Sequence, residues 1–200
     1  MKKYVFITGA SSGFGEACAH IFAKNGFSLV LVARRVDKLE QLKVSLQNDT
    51  VNIHCLKLDI RNEKEVFQSI NSLPEIIKNN IQILINNAGL AVGRSSIENA
   101  VTDDWERMID TNIKGLLYVS KAIIPFLKLH KSTQIVNISS IAGKEVYPGG
   151  NVYCATKHAV DALSKAMRID LVSHGIKVTN IAPGAAETEF SLVLFNFSTI

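Results

Sequence analysis

The sequence predicts an α/β protein built on a doubly wound parallel sheet, a Rossmann-type fold of six strands with helices on both faces. Three observations predict it. Short β-branched, apolar runs alternate along the chain with stretches of helical period. The runs are apolar at consecutive positions, as strands covered on both faces require. The residues able to carry chemistry fall just after the runs, at the carboxyl ends of the strands, where such sheets hold ligands.

Each element has its own local reason. Residues 4–8 are apolar and precede a Gly-rich turn, which makes them the first strand. Helical period follows over 14–24 and stops at Asn25-Gly26. Residues 27–33 are the second strand, and 36–47 an amphipathic helix ending at Asn48-Asp49. Residues 52–58 are the third strand, closed by Asp59. Asn62 caps the next helix, with Glu63 and Glu65 against the positive end of its dipole. Residues 81–85 are the fourth strand. Thr102 is placed to cap a long helical stretch toward Leu129, bent at Pro125. Residues 133–138 are the fifth strand. Residues 151–173 are a long helix closed by His174-Gly175, and 176–181 are the sixth strand, stopped by Pro183-Gly184.

Composition narrows the class. Two hundred residues, 47% hydrophobic and 20% charged, suit a single globular domain spanning 1–200. The net charge of +4 is spread out, without the basic stripe of a nucleic-acid binder. Cys18, Cys55 and Cys154 are odd in number and far apart, so free thiols in a reducing, cytoplasmic compartment are expected. No metal spacing appears among them or the five histidines, and no apolar run reaches transmembrane length.

Seven features carry chemistry. Thr8-Gly-Ala-Ser-Ser-Gly-Phe-Gly15 joins the first strand to the first helix, and Gly9, Gly13 and Gly15 let backbone approach a pyrophosphate at a helix N-terminus. The second strand ends Ala33-Arg34-Arg35. A carboxylate there would hold a ribose 2′-hydroxyl, whereas a guanidinium suits a 2′-phosphate, so NADP is favoured over NAD, with Arg34 the stronger candidate and Arg35 as well suited to a solvated loop. Asp59 suits either an adenine amino group or a cap on its own turn. Asn86-Asn-Ala-Gly89 offers small residues on which a ring can lie, with Asn86 read as a tie between loops. Tyr153 and Lys157, four apart on a helix, share one face. An ammonium beside a phenol favours the phenolate, so Tyr153 is expected to titrate below its usual ~10 and to exchange a proton with an alcohol or carbonyl oxygen. Ser139 and Ser140 follow the fifth strand, and either hydroxyl can donate to a substrate oxygen. Asn112 sits inside a helical stretch that its side chain disfavours.

Taken together and in order, residues 8–15, 86–89, Asn112, Ser140, the Tyr153/Lys157 pair, Pro183-Gly184 and Thr188 resemble the short-chain dehydrogenase/reductase family. The family's serine lies thirteen residues before its tyrosine, which selects Ser140. The segments Gly-Phe-Gly-Glu16, Asp-Thr-Asn-Ile-Lys-Gly115, Gly-Gly-Asn-Val-Tyr153 and Thr-Glu-Phe-Ser191 are similar to the NADP-dependent 3-hydroxy acid dehydrogenase branch, which acts on serine, allo-threonine and related 3-hydroxy acids. The resemblance implies hydride transfer between NADP(H) and a carbinol carbon. Tyr153 is then the general acid/base. Lys157 lowers its pKa and holds the nicotinamide ribose, Ser140 bonds the reacting oxygen, and Asn112 positions a water linked to Lys157. Gly9, Ser11, Ser12, Gly13, Phe14 and Gly15 hold the pyrophosphate. Asp59 meets adenine, Arg34 and Arg35 meet the 2′-phosphate, and Asn87, Ala88, Gly89, Pro183, Gly184 and Thr188 line the nicotinamide half.

Family members continue past this point with more helix and a seventh strand, and the branch carries a basic residue where this chain has Leu194. A homo-oligomer is implied, its tetramer put in doubt by the short C-terminus, through which an exposed sixth-strand edge is expected. Arg94 and Lys144 are candidates for binding a substrate carboxylate. The competing functions are the same chemistry on a steroid, sugar or acyl-carrier ketone, and a truncated paralogue that binds NADP without turnover.

Overall fold

The computed structural model describes residues 2–47 and 50–186. Six strands, β1 (Tyr4–Thr8), β2 (Ser28–Ala33), β3 (Ile53–Lys57), β4 (Ile81–Asn86), β5 (Thr133–Ile138) and β6 (Ile176–Ile181), form one sheet in the order β3-β2-β1-β4-β5-β6. Every neighbouring pair is parallel. The order reverses direction at β1, which opens a crevice between the carboxyl ends of β1 and β4.

Alternation along β1 shows why both faces must be covered. Tyr4 and Phe6 enter one core with Val30 and Val32 of β2. Val5 and Ile7 enter the other with Leu29 and Leu31. Helices α1 (Gly13–Lys24) and α2 (Val36–Leu46) close the second face through Ala19, Ala23, Leu39 and Leu42. Helices α3 (Glu63–Asn71), α6 (Leu116–Leu127) and α7 (Asn151–Leu171) close the first through Val66, Ile70, Val119, Ile123 and Val160. The outer strands are wetter: β3 is half-buried, and Lys177 of β6 is exposed.

The strands lie within two residues of their sequence positions, and Asn62 caps α3 by accepting from the Glu65 backbone amide at 3.1 Å. A short helix α4 (Glu75–Lys78) was not evident in the sequence. Thr102 is not a cap. Val101 holds the extended backbone of that position (φ −83°, ψ 122°), so Thr102 is already the first residue of α5 (Thr102–Ile109). The long stretch is interrupted at a π-helical turn, Asp110–Gly115, rather than at Pro125, which lies within the last turn of α6. A side chain at Gly115 would meet Ile60 at 2.7 Å, so glycine lets this wider turn pack inward. The helix after Leu171 tightens into a 3-10 turn and stops at Gly175 (φ 70°). The helix stop at Asn48-Asp49 and everything expected of 187–200, including Thr188, lie outside the described residues.

One contact locks the crevice. A Cβ on Gly15 would sit 2.3 Å from the Gly9 carbonyl oxygen and 2.5 Å from the Asn87 amide nitrogen. The Gly9 oxygen is backbone and cannot swing away. Gly15→Ala is therefore expected to destabilise the fold by roughly 1–3 kcal/mol, read as a lower urea midpoint at unchanged slope. A midpoint equal to wild type would show that the turn relaxes freely.

Candidate active site

A cavity of about 510 Å³ opens at the carboxyl ends of the strands. Gly9, Ser11, Ser12, Gly13, Phe14, Arg34, Arg35, Asp59, Asn87, Ala88, Gly89, Ser140, Tyr153, Lys157, Pro183 and Gly184 all line it. The sequence thus brought together segments up to 175 residues apart, from Gly9 to Gly184. Two expected residues stand behind the wall instead. Gly15 lies beneath Gly9, and Asn112 is buried in the π-helical turn.

At the β1 end, Gly9 and Gly13 adopt positive φ, which carries the chain around the turn. Thr8 Oγ1 accepts from the backbone amides of Asn87 and Ala88, both at 3.0 Å. Asn87 Nδ2 donates to the carbonyls of Thr8 and Gly9, both at 3.0 Å. Asn87 therefore works as the tie between the two loops, a job the sequence reading considered chiefly for Asn86. Asn86 also ties, but deeper: its Nδ2 donates to Ser120 Oγ and to Asn137 Oδ1, each at 2.9 Å. No side chain caps α1, and its first residues Gly13 and Phe14 lie on the cavity wall, a position that suits an anion.

The two arginines divide differently from expectation. Arg35 Nη2 donates to both Ser11 Oγ and Ser12 Oγ at 3.1 Å, which sets its guanidinium beside the Gly-rich turn. Arg34 lines the same wall. Asp59 takes the local-cap reading: it accepts from the Arg61 backbone amide at 3.1 Å and from the Arg61 guanidinium through both oxygens. That fork holds the Asp59 carboxyl below the usual carboxylate range.

At the other end, Asn112 spends its whole amide on framework. Its Oδ1 accepts from the Leu90 amide at 2.7 Å, and its Nδ2 donates to the Leu90 carbonyl at 2.8 Å and to Thr156 Oγ1 at 3.0 Å. The two serines separate cleanly. Ser139 Oγ donates to the Lys157 carbonyl at 3.0 Å and is structural. Ser140 heads the 3-10 turn Ile141–Gly143, accepts from the Ala142 amide, and hydrogen-bonds Tyr153. Trp105 packs with Met108, Ala142 and Cys154 around the Tyr153 ring.

The expected acidification of Tyr153 is not seen. Burial pushes its phenol up to about 12, against a smaller lowering by the Ser140 hydrogen bond. Burial also pulls Lys157 down to about 8. The physical reason is placement. Lys157 Nζ donates to the Ile138 carbonyl at 3.0 Å and lies 5.8 Å from the Tyr153 ring centroid, and both groups are withdrawn from water. Lys144, a candidate for binding substrate, is instead tied to Asp161, which also holds Lys165 and Asn180. Arg94 does line the cavity. Sequence reasoning missed Leu90, Thr111 and Ile141 at the wall, which have no periodic signal, and missed Arg61, whose only clue was its Asp59-x-Arg61 spacing. Among the described residues no cluster of three acidic, His or Cys side chains is placed to hold a metal, and no helix is long and apolar enough to cross a membrane.

Comparison with known proteins now decides the family. The family model described as short chain dehydrogenase matches residues 3–196. The chain belongs to the short-chain dehydrogenase family. Sulfoacetaldehyde reductase of Chromohalobacter salexigens is 47% identical over 194 residues, covering 96% of this chain and 76% of that protein. NADP-dependent 3-hydroxy acid dehydrogenase YdfG of Escherichia coli K12 is 42% identical over 192 residues, with the same coverage. The closed form of serine dehydrogenase complexed with NADP+ superposes with a TM-score of 0.89 at 42% identity, covering 98% of this chain and 77% of that one. This short-chain dehydrogenase is accordingly an oxidoreductase acting on alcohol or carbonyl groups, of the branch to which the 3-hydroxy acid dehydrogenases belong.

Two measurements test the electrostatics. Ultraviolet titration of the ligand-free protein, wild type minus Tyr153→Phe, is expected to show the Tyr153 phenolate appearing only near about 12; ionisation at neutral pH would overturn this. Lys157 has a folded pKa of about 8 against an ordinary 10.5, so the folded state holds fewer protons than the unfolded state between those values. Its burial penalty is thus full below about 8 and relieved as pH rises toward 10.5. Lys157→Met should therefore be more stable than wild type at neutral pH, by on the order of 3 kcal/mol, with the margin closing across that window in urea titrations. A pH-independent margin would contradict a buried titrating ammonium.

Proposed function

We propose that residues 1–200 act as one dinucleotide-binding unit that transfers a hydride between NADP(H) and a small 3-hydroxy acid or the corresponding carbonyl compound. The observation that carries the cofactor half is the β2 end. Arg34 and Arg35 follow that strand where an NAD site would place an acidic residue, and Arg35 bridges to the Ser11 and Ser12 hydroxyls. A 2′-phosphate accepts from a guanidinium and from hydroxyls, so this cluster suits it. The uncapped first turn of α1 suits the pyrophosphate, and the small residues Ala88 and Gly89 suit a flat ring.

Bound nicotinamide supplies the hydride acceptor or donor. The chain's own groups do the rest. Ser140 holds the substrate oxygen beside Tyr153 and is itself oriented by the Ala142 amide. In the reducing direction the protonated Tyr153 hydroxyl donates its proton to the carbonyl oxygen; in the oxidising direction the phenolate takes it back. Lys157 stabilises that phenolate by its charge, and its ammonium would hold the ribose. Asn112 acts through Leu90, fixing the loop against which Lys157 rests. The substrate half of this reading rests on the relatives. Sulfoacetaldehyde and a 3-hydroxy acid share one layout, an acid group joined through a single carbon to the carbon that exchanges hydride.

The test is the absorbance of reduced nicotinamide with purified protein, NADP(H) or NAD(H), and a panel of serine, 3-hydroxypropanoate and sulfoacetaldehyde. Turnover with NADP(H) that is lost by at least about a thousandfold in Tyr153→Phe is expected. Arg35→Ala should lower kcat/KM for NADPH by roughly 10–100-fold while leaving NADH use little changed. Equal loss with both cofactors would remove the 2′-phosphate assignment, and tight NADP binding without turnover would remove the enzyme reading.

A further inference from the structure

Four arginines line the cavity, and they lie on two sides of it. Arg34 and Arg35 follow β2, and Arg61 follows β3 and is forked to Asp59. Arg94 comes from the loop after β4 and shares its wall with Tyr147, Ser140 and Tyr153. A guanidinium on that side is remote from the end where the 2′-phosphate would sit.

The loop that carries Arg94 is held at both flanks. At its start the Asn112 carboxamide pairs with both the amide and the carbonyl of Leu90. Gly93 turns it at φ 67°, with Asp104 so close that a Cβ there would meet a carboxylate oxygen at 2.5 Å. Just past Arg94, the Ser95 carbonyl accepts from Asn151 Nδ2 at 3.0 Å. Asn151 is the first residue of α7 and lies two positions before Tyr153. The Arg94 stem then lies against the Gly149 turn, where an added Cβ would meet its Cγ at 3.0 Å. The loop is therefore tethered to the helix that carries the phenol, so the guanidinium keeps a defined relation to it.

We infer that Arg94 anchors the acid group of the substrate, a carboxylate or sulfonate, and so sets the specificity of the site for small anionic molecules. The inference rests on the oxidoreductase reading above and adds the group that recognises the substrate. A planar guanidinium pairs with either anion through two parallel hydrogen bonds. Lys144 is tied to Asp161 and does not line the cavity, whereas Arg94 does. Tyr147 stands beside the guanidinium, which acts electrostatically on its phenol, and gives the pocket a second hydrogen-bonding group there.

The experiment uses NADPH-loaded wild type, Arg94→Met and Arg94→Lys. Rates are taken with sulfoacetaldehyde, with 3-oxopropanoate and with neutral propanal. Binding of two unreactive anions, butanoate and propane-1-sulfonate, is measured on the NADP-loaded proteins by calorimetry. The expected result is that the preference for acid over propanal, as a ratio of kcat/KM values, falls about a hundredfold in Arg94→Met and less in Arg94→Lys. Affinity for both anions should fall in parallel while affinity for NADPH holds. If the wild type prefers the acids and Arg94→Met keeps that preference, the Arg94 assignment is wrong and the acid-substrate reading survives. If the wild type shows no such preference and binds neither anion, both are wrong. Should the wild type bind the anions without turnover, loss of that binding in Arg94→Met still supports the anchor, and its retention overturns it. Whichever of the two acids the wild type favours names carboxylate or sulfonate as the group recognised.

Discussion

A buried ammonium is the constraint around which this molecule is arranged. Lys157 is 5% exposed, and taking a lone cation out of water costs several kcal/mol unless the surroundings are fixed to receive it. Each neighbouring element contributes to that fixing. β5 offers the Ile138 carbonyl to the ammonium. Ser139, next in sequence, bonds the Lys157 carbonyl, and Gly143 lets the 3-10 turn press onto that same carbonyl, where a Cβ would come within 2.6 Å. From the other side the Gly89 backbone lies against Nζ and Asn112 together, each 3.5 Å from where a Cβ would stand. The lysine is thus clasped between the end of β5 with the turn after it and the loop after β4, and those same segments present Ser140 and the flat Ala88-Gly89 floor to the cavity beside Tyr153.

The arrangement also explains why a Tyr-Lys pair on one helix face behaves differently from what spacing suggests. Spacing brings two side chains near each other but says nothing about their dielectric surroundings. Here both are dry, so desolvation outweighs attraction, raising the phenol and lowering the ammonium. Tyr153 is therefore a neutral phenol at neutral pH.

Much of this was legible in the sequence. Strand positions followed from runs such as Tyr4–Thr8 and Ser28–Ala33, because consecutive apolar residues bounded by turns have few alternatives. The Gly-rich turn, Asn87 to Gly89, Ser140, Tyr153 and Lys157 all reached the cavity wall. What was not legible depends on tertiary partners. The π-helical turn exists because Asn112 reaches Leu90 and Gly115 meets Ile60, contacts that cross 22 and 55 positions of sequence. Arg34 and Arg35 are adjacent, and only the fold tells which one meets the serines. Lys144 has a charged partner, Asp161, seventeen positions on, that no local pattern announces.

The buried pair Asn86 and Asn137 has a consequence for distance. They stand at matched positions on β4 and β5 and share a hydrogen bond at 2.9 Å, and Asn137 continues to Ser164 of α7. Slipping one strand by a single residue would turn these amides onto the opposite face and strand them without partners. The next residues along the two strands are Asn87, which clamps the Gly-rich turn, and, two steps on, Ser139, which clamps Lys157. A polar rung deep in the sheet therefore acts as a ruler, fixing the register that sets the Gly-rich turn and Lys157 at their separation across the cavity.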